Sequence, residues 1–255
     1  MKKVELLSPA GDFESLVAAV QNGADSVYFG ANKFNARINS QNFGNEELIK
    51  AITYAKLRKV KTFLTLNTLI KNEEMKEVLE TLKSAYMAGI DSVIVQDLGL
   101  AEKVLEVFPD LEIHASTQMT VHNLNGVKVL EKAGIKRVVL ARELPLEEIQ
   151  NICENTKTEI EVFAHGALCV SYSGQCLMSS MIGGRSGNRG GCAGTCRLPY
   201  ELINTSDDRC LDKGYILSPK DVVTLDILPE LIKTGVTSLK LEGRMKSPEY
   251  TRDCN

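Results

Sequence analysis

The sequence lacks any apolar run close to the roughly 20 residues that cross a bilayer, which excludes a helical membrane span. It has no HExxH pair of a zinc hydrolase and no GxSxG elbow of a serine hydrolase. No glycine-rich dinucleotide fingerprint follows the first predicted strand, which weakens an open doubly wound sheet. Histidine is scarce, with three in 255 residues, so few imidazoles are left for acid–base work. An excess of positive charge is also missing. The net charge is -3 and the pI about 5.8, so any contact with nucleic acid must rest on a local patch. The opening residues, MKKVELLSPAG, carry no apolar h-region, which sets the expectation of a chain without a secretory leader, resident in the cytoplasm. Thiols stay reduced there, and seven cysteines, an odd number, point to metal or catalysis before disulfides.

What is present is a rhythm. Gly23-Ala24-Asp25-Ser26-Val27, Gly89-Ile90-Asp91-Ser92-Val93, Gly134-Ile135-Lys136-Arg137-Val138 and Gly235-Val236-Thr237-Ser238-Leu239 repeat one phrase. A glycine just past a helix, followed at once by a β-rich run, is how a helix hands over to a strand in an α/β unit. Reading outward predicts strands at Val4 to Leu7, Ser26 to Phe29, Thr62 to Leu66, Ser92 to Val95, Glu112 to Ala115, Arg137 to Leu140, Glu159 to Phe163 and Ser238 to Leu241. Helical spacing fills the intervals, as at Phe13 to Gln21, Glu73 to Ala88 and Leu225 to Lys233. Eight alternating strands in a chain of this length predict one α/β domain over 1–255, a TIM-like (β/α)8 barrel. Ser247-Pro248-Glu249 starts an eighth helix that Asn255 cuts short, so a longer chain is expected.

One interval breaks the rhythm. Residues 166–218, between strands seven and eight, form a long Cys-rich insertion holding Cys169, Cys176, Cys192 and Cys196, expected to cap the C-terminal face where barrels place their chemistry. Four thiolates suit a tetrahedral zinc site or a four-iron cluster. The wide spacing of the first pair leans toward iron, with zinc and unligated thiols as alternatives. The run Gly183-Gly184-Arg185-Ser186-Gly187-Asn188-Arg189-Gly190-Gly191 lacks the Gly-Lys-Ser/Thr ending of a phosphate loop and reads as a connector. Arg185, Arg189 and Arg197 are the candidate RNA contacts in this segment, with Lys240, Arg244 and Lys246 near the end; the plain reading is solvated charge. Strand ends supply Asn67, Gln118, Arg142 and Arg244 as candidate binders of a dianionic small molecule. Ion pairing of Glu242 with Arg244, or Glu143 with Arg142, is the plain alternative. His165 and Glu242 are the candidate catalytic pair, His165 lying just before Cys169. His114 reads as a hydrogen-bonded core residue, His122 as surface and Cys153 as a small apolar filler.

These residues resemble a known family. Glu161-Val162-Phe163, Gly166-Ala167-Leu168-Cys169, Gly174-Gln175-Cys176 and Leu177-Met178-Ser179 are similar to the signature of the collagenase-like peptidase family numbered thirty-two among those of unassigned catalytic type. Leu7-Ser8-Pro9-Ala10-Gly11, Gly23-Ala24-Asp25-Ser26-Val27-Tyr28 and Lys240-Leu241-Glu242-Gly243-Arg244 follow the same pattern. The resemblance implies one of two activities. Members were first named as proteases and collagenases, and others act in oxygen-independent hydroxylation with a 4Fe-4S cluster, on a tRNA wobble uridine with prephenate as hydroxyl donor, on ribosomal RNA, or on ubiquinone precursors. It implies Cys169, Cys176 and Cys192 as cluster ligands. Some relatives place the fourth after a Lys-Asp pair, where this chain has Lys220-Asp221 followed by valines, so Cys196 is taken as the fourth. The expected partners are tRNA or other RNA, a small anionic metabolite, and a second copy or family relative in an oligomer. A protease and a zinc-stabilised scaffold are the rival expectations.

Overall fold

The computed structural model describes residues 3–255. Eleven strands and nine α-helices follow in chain order: β1 Glu5–Pro9, α1 Phe13–Gln21, β2 Ser26–Gly30, α2 Asn45–Lys56, β3 Lys61–Leu66, α3 Met75–Ala88, β4 Ser92–Val95, α4 Leu98–Val107, β5 Glu112–Ala115, α5 Leu124–Lys132, β6 Arg137–Val139, α6 Leu146–Glu154, β7 Glu159–Gly166, α7 Met178–Gly183, β8 Tyr200–Ile203, β9 Cys210–Gly214, β10 Val222–Val223, α8 Leu228–Lys233, β11 Ser238–Leu241 and α9 Pro248–Cys254. The recurring glycine phrase marks the joints. Gly89 ends α3 with φ 86, a left-handed turn that a Cβ would strain, and β4 begins three residues later. At the N-termini of α1, α4 and α5 a side chain caps the helix: Asp12 accepts from the Ser15 amide at 2.7 Å, Asp97 from Leu100 at 2.9 Å, and Asn123 from Gly126 at 2.8 Å.

The parallel strands run β1-β2-β3-β4-β5-β6-β7-β11, and β11 returns to β1 with Glu5 opposite Ser238 and Leu7 opposite Lys240. The sheet therefore closes into a (β/α)8 barrel. Side-chain alternation sorts two cores. Val27, Phe29, Leu64, Val93 and Val95 point outward and pack with Leu16, Leu48, Ile52 and Leu82 of the helices. Leu7, Tyr28, Phe63 and Ile94 point inward as a small apolar layer.

The rest of the barrel interior is largely polar, with a buried cluster of charges. Glu161, fully buried, accepts from Lys240 Nζ at 2.9 Å and Arg137 Nη1 at 3.1 Å, and Arg137 also donates to Glu5 at 2.7 Å and Glu159 at 2.7 Å. His114, also fully buried, shares a 3.3 Å hydrogen bond with Ser92, and burial holds its pKa below the ordinary value. Lys240 was a candidate RNA contact; at 5% exposure inside the barrel it cannot serve as one.

The strands differ from the sequence reading at their ends. β7 runs past Phe163 to Gly166, because β10 pairs antiparallel with its tip, Val222 opposite Gly166 and Val223 opposite His165. Between these two strands the chain builds α7 and the β8–β9 hairpin. This lid reaches across loops at the C-terminal ends of the strands. The Leu69 amide donates to Asn188 O at 3.2 Å, Arg189 donates to Leu69 O at 2.7 Å and Glu74 at 3.0 Å, and Thr120 donates to Ser173 O. No helix of the described residues is long and apolar enough to cross a membrane.

Candidate active site

Three guanidinium groups converge at the barrel mouth. Arg142 follows β6, Arg244 follows β11, and Arg37 comes from the loop after β2. Between Arg37 and Arg142 sits Glu242, with Oε1 3.3 Å from Arg37 Nη2 and Oε2 3.0 Å from Arg142 Nη2. Burial raises the Glu242 carboxyl, but Arg37, Arg142 and Arg244 outweigh it and hold the pKa down to about 2. Arg142 also donates to Ala167 O at 2.6 Å, and its Cζ lies over the Phe163 ring, 3.9 Å from the centre. Arg244, 4% exposed, donates to Thr65 Oγ1 at 2.9 Å and Asn35 Oδ1 at 3.3 Å, and burial lowers its pKa to about 10.

Gly166 makes this arrangement sterically feasible. A Cβ there would stand 2.6 Å from Glu242 Cβ, and its φ of +122 already disfavours any other residue. Asn67 and Gln118 complete the wall. Asn67 accepts from the Ala36 amide at 3.0 Å, whereas Gln118 Oε1, Arg142 Nε and Arg244 Nε are buried without a partner. Unpaired buried polar atoms are costly, and clustered at one mouth they mark a place prepared for a polar ligand.

Above the mouth lies a cavity of about 410 Å³ whose wall includes Cys169, Cys192 and Cys196 together with Arg37 and Glu242. Those last two side chains belong to both spaces. Cys176 flanks the same wall: its carbonyl oxygen and Cys192 Cβ lie 3.7 and 3.9 Å from where a Gly187 Cβ would stand. Cys192 Sγ accepts from the Gly194 amide at 3.4 Å. The Cys169 thiol reaches the surface, yet the atoms packed around it push its pKa up, with Arg142 and Arg37 pulling the other way. All seven cysteines are free, and among the described residues no three His, Cys, Asp or Glu side chains gather closely enough to hold one ion. The soft donors are of the kind that hold a thiolate-bound metal group.

The remaining sequence candidates are distributed unevenly. His165 packs its ring 5.7 Å from that of Tyr250 and lines neither space. Arg197 is spent on Leu168 O, Ser218 and Pro219 O, and Arg189 on Leu69 O and Glu74, so both brace the lid. Arg185 is exposed on the cavity rim beside Lys246. The expected pairing of Glu242 with Arg244 is not made; Arg244 turns to Thr65 and Asn35, and Glu242 takes Arg37 and Arg142 instead. Glu143 likewise leaves Arg142 and accepts from the Ser173 amide at 3.2 Å. Arg37 was missed by the sequence reading, for which the signal was a long non-periodic loop after β2, leaving from the C-terminal face.

The sequence profile of Peptidase family U32 matches residues 11–254. The chain belongs to this family. Among U32 relatives, the tRNA hydroxylation protein P1 of Bacillus subtilis is 39% identical over 98% of this chain and 60% of its own length. The 23S rRNA 5-hydroxycytidine C2501 synthase of Escherichia coli is 40% identical over 98% of this chain and 38% of its own length. A collagenase of Porphyromonas gingivalis is 36% identical over 96% of this chain and 62% of its own length. The chain thus spans less than two thirds of these relatives. A solved U32 peptidase superposes with a TM-score of 0.65 at 14% identity, covering 94% of this chain and 93% of that one, and shares the fold.

Proposed function

We propose that this U32 chain acts in the oxygen-independent hydroxylation of RNA in the cytoplasm, with a tRNA wobble uridine as the first candidate target and prephenate as the hydroxyl donor. One observation carries the reading: three guanidinium groups meet at a barrel mouth directly beneath a thiol-lined cavity. Arginine recognises carboxylates through paired N–H donors, so Arg142 and Arg244, with Arg37, would seat a dianion and fix its orientation. Asn67 and Gln118 would bind its neutral polar groups. The lid forms much of the wall of the cavity above it. Cys169, Cys176, Cys192 and Cys196 would hold a 4Fe-4S cluster, which supplies redox chemistry when bound. Arg185 and Lys246 on the rim would meet RNA phosphates.

The relative named a collagenase favours a second reading, a hydrolase. The site gives it little chemistry, since His165 packs against Tyr250 and lines neither space with Cys169. One experiment separates the two. Nucleosides from tRNA and rRNA of a deletion strain are analysed by mass spectrometry, with complementation by wild type or R142A. Loss of a hydroxylated pyrimidine, restored by wild type and not by R142A, is expected. Unchanged nucleosides, together with gelatin degradation by the purified protein, would establish the hydrolase.

A further inference from the structure

We propose that Glu242 is a built-in counter-anion which occupies the arginine mouth until a dianionic ligand displaces it, and that this exchange is what makes the site select dianions over monoanions. The inference rests on reading the mouth as an anion site.

The mouth around Glu242 has only about 50 Å³ of free space, enough for a few waters and too little for a dicarboxylate beside the Glu242 side chain. A ligand must therefore take the place of that side chain. The backbone of Glu242 is fixed, because its amide donates to His165 O at 2.9 Å and its carbonyl accepts from Tyr250 Oη at 3.4 Å. The close approach to Gly166 holds its Cβ as well. The carboxylate can leave only by rotating about its own side-chain bonds, and the open direction is the 410 Å³ cavity it already lines.

Two of the three arginines do not depend on Glu242 for their positions. Arg142 keeps its bond to Ala167 O at 2.6 Å, and Arg244 keeps Thr65 Oγ1 at 2.9 Å. The vacated place would be faced by Arg37, by Arg142 and by the Nε atoms of Arg142 and Arg244 that now lack partners. Charge then sets the selectivity. Three guanidinium groups stand against one carboxylate, leaving two positive charges uncompensated in a buried mouth. A monoanion merely exchanges one carboxylate for another. A dianion replaces Glu242 and also satisfies Arg244, so only it gains from the exchange.

The test is calorimetric titration at low salt with malonate as the dianion and acetate as the monoanion, using wild type, E242Q, E242D and R142A. Wild type is expected to bind malonate far better than acetate. E242Q removes the competitor, so malonate binding tightens by about tenfold, as expected when a closed state stops limiting access, and the preference over acetate shrinks. E242D, whose shorter arm cannot span both arginines, falls between and serves if E242Q does not fold. R142A abolishes binding. If wild type binds malonate, R142A loses it, and both Glu242 variants bind no tighter than wild type, the counter-anion idea is overturned while the anion site stands. If wild type binds neither anion and no variant does, the anion site itself is refuted.

Discussion

Glu161 offers the sharpest test of how the barrel interior is held. Its carboxylate is fully buried, accepts from Lys240, Arg137 and Ser238 at 2.9, 3.1 and 3.0 Å, and is the only ion-pair partner of Lys240 among the described residues. In E161L, Arg137 keeps Glu5 and Glu159, but the Lys240 ammonium, 5% exposed, is left buried without a countercharge. Breaking one side of such a pair costs about 3–5 kcal/mol. Replacing both sides by apolar groups of similar volume is often nearly neutral, so E161L/K240M is expected to recover at least about 2 kcal/mol of that loss. The chain has no tryptophan, so urea unfolding followed by far-UV circular dichroism is the assay. A loss below about 1 kcal/mol in E161L, or a double variant as unstable as the sum of E161L and K240M, would refute the reasoning.

Acid should destabilise the fold through the same groups. Glu161 and Glu242 are held from an ordinary 4.5 down to about 2, so the stability they contribute is present above pH 4.5 and lost as pH falls toward 2, which pH-dependent urea midpoints will show. G166A places a Cβ 2.6 Å from Glu242 Cβ in a backbone with φ +122, so it should cost about 1–3 kcal/mol in the same assay and weaken malonate binding. R189A removes the lid's bonds to Glu74 and Leu69 O; global stability should fall by no more than about 1 kcal/mol, while limited proteolysis within 167–221 accelerates. Anaerobic reconstitution with iron and sulfide should give a broad absorption near ~400 nm in wild type that C169S and C192S each lose, and colourless wild type would count against the cluster.

The barrel was legible because its signals are local. Each joint pairs a helix-ending glycine with a β-rich run, and α1 begins and ends where the apolar spacing predicts, at Phe13 and Gln21. The lid was legible only as an interruption. Its α7 is a short helix, and β8 and β9 are largely exposed, so neither leaves a burial period to read. Arg142, Arg244, Asn67 and Gln118 were found because each sits just past a predicted strand, where barrels direct side chains to one face. Arg37 lies deep in a loop without such a marker. Which carboxylate pairs with which arginine depends on the stagger of β7 against β11, where the register shifts between Lys240 and Leu241, and no one-dimensional pattern reports that.

The two-residue strand β10 has a consequence out of proportion to its length. By bonding back onto the tip of β7, it brings the exit and re-entry points of the long excursion to one rung of the sheet. Much of the loop-closure entropy of whatever is threaded between those two points is therefore met at its base. The cap can change in length while the rung between β7 and β10 keeps its register.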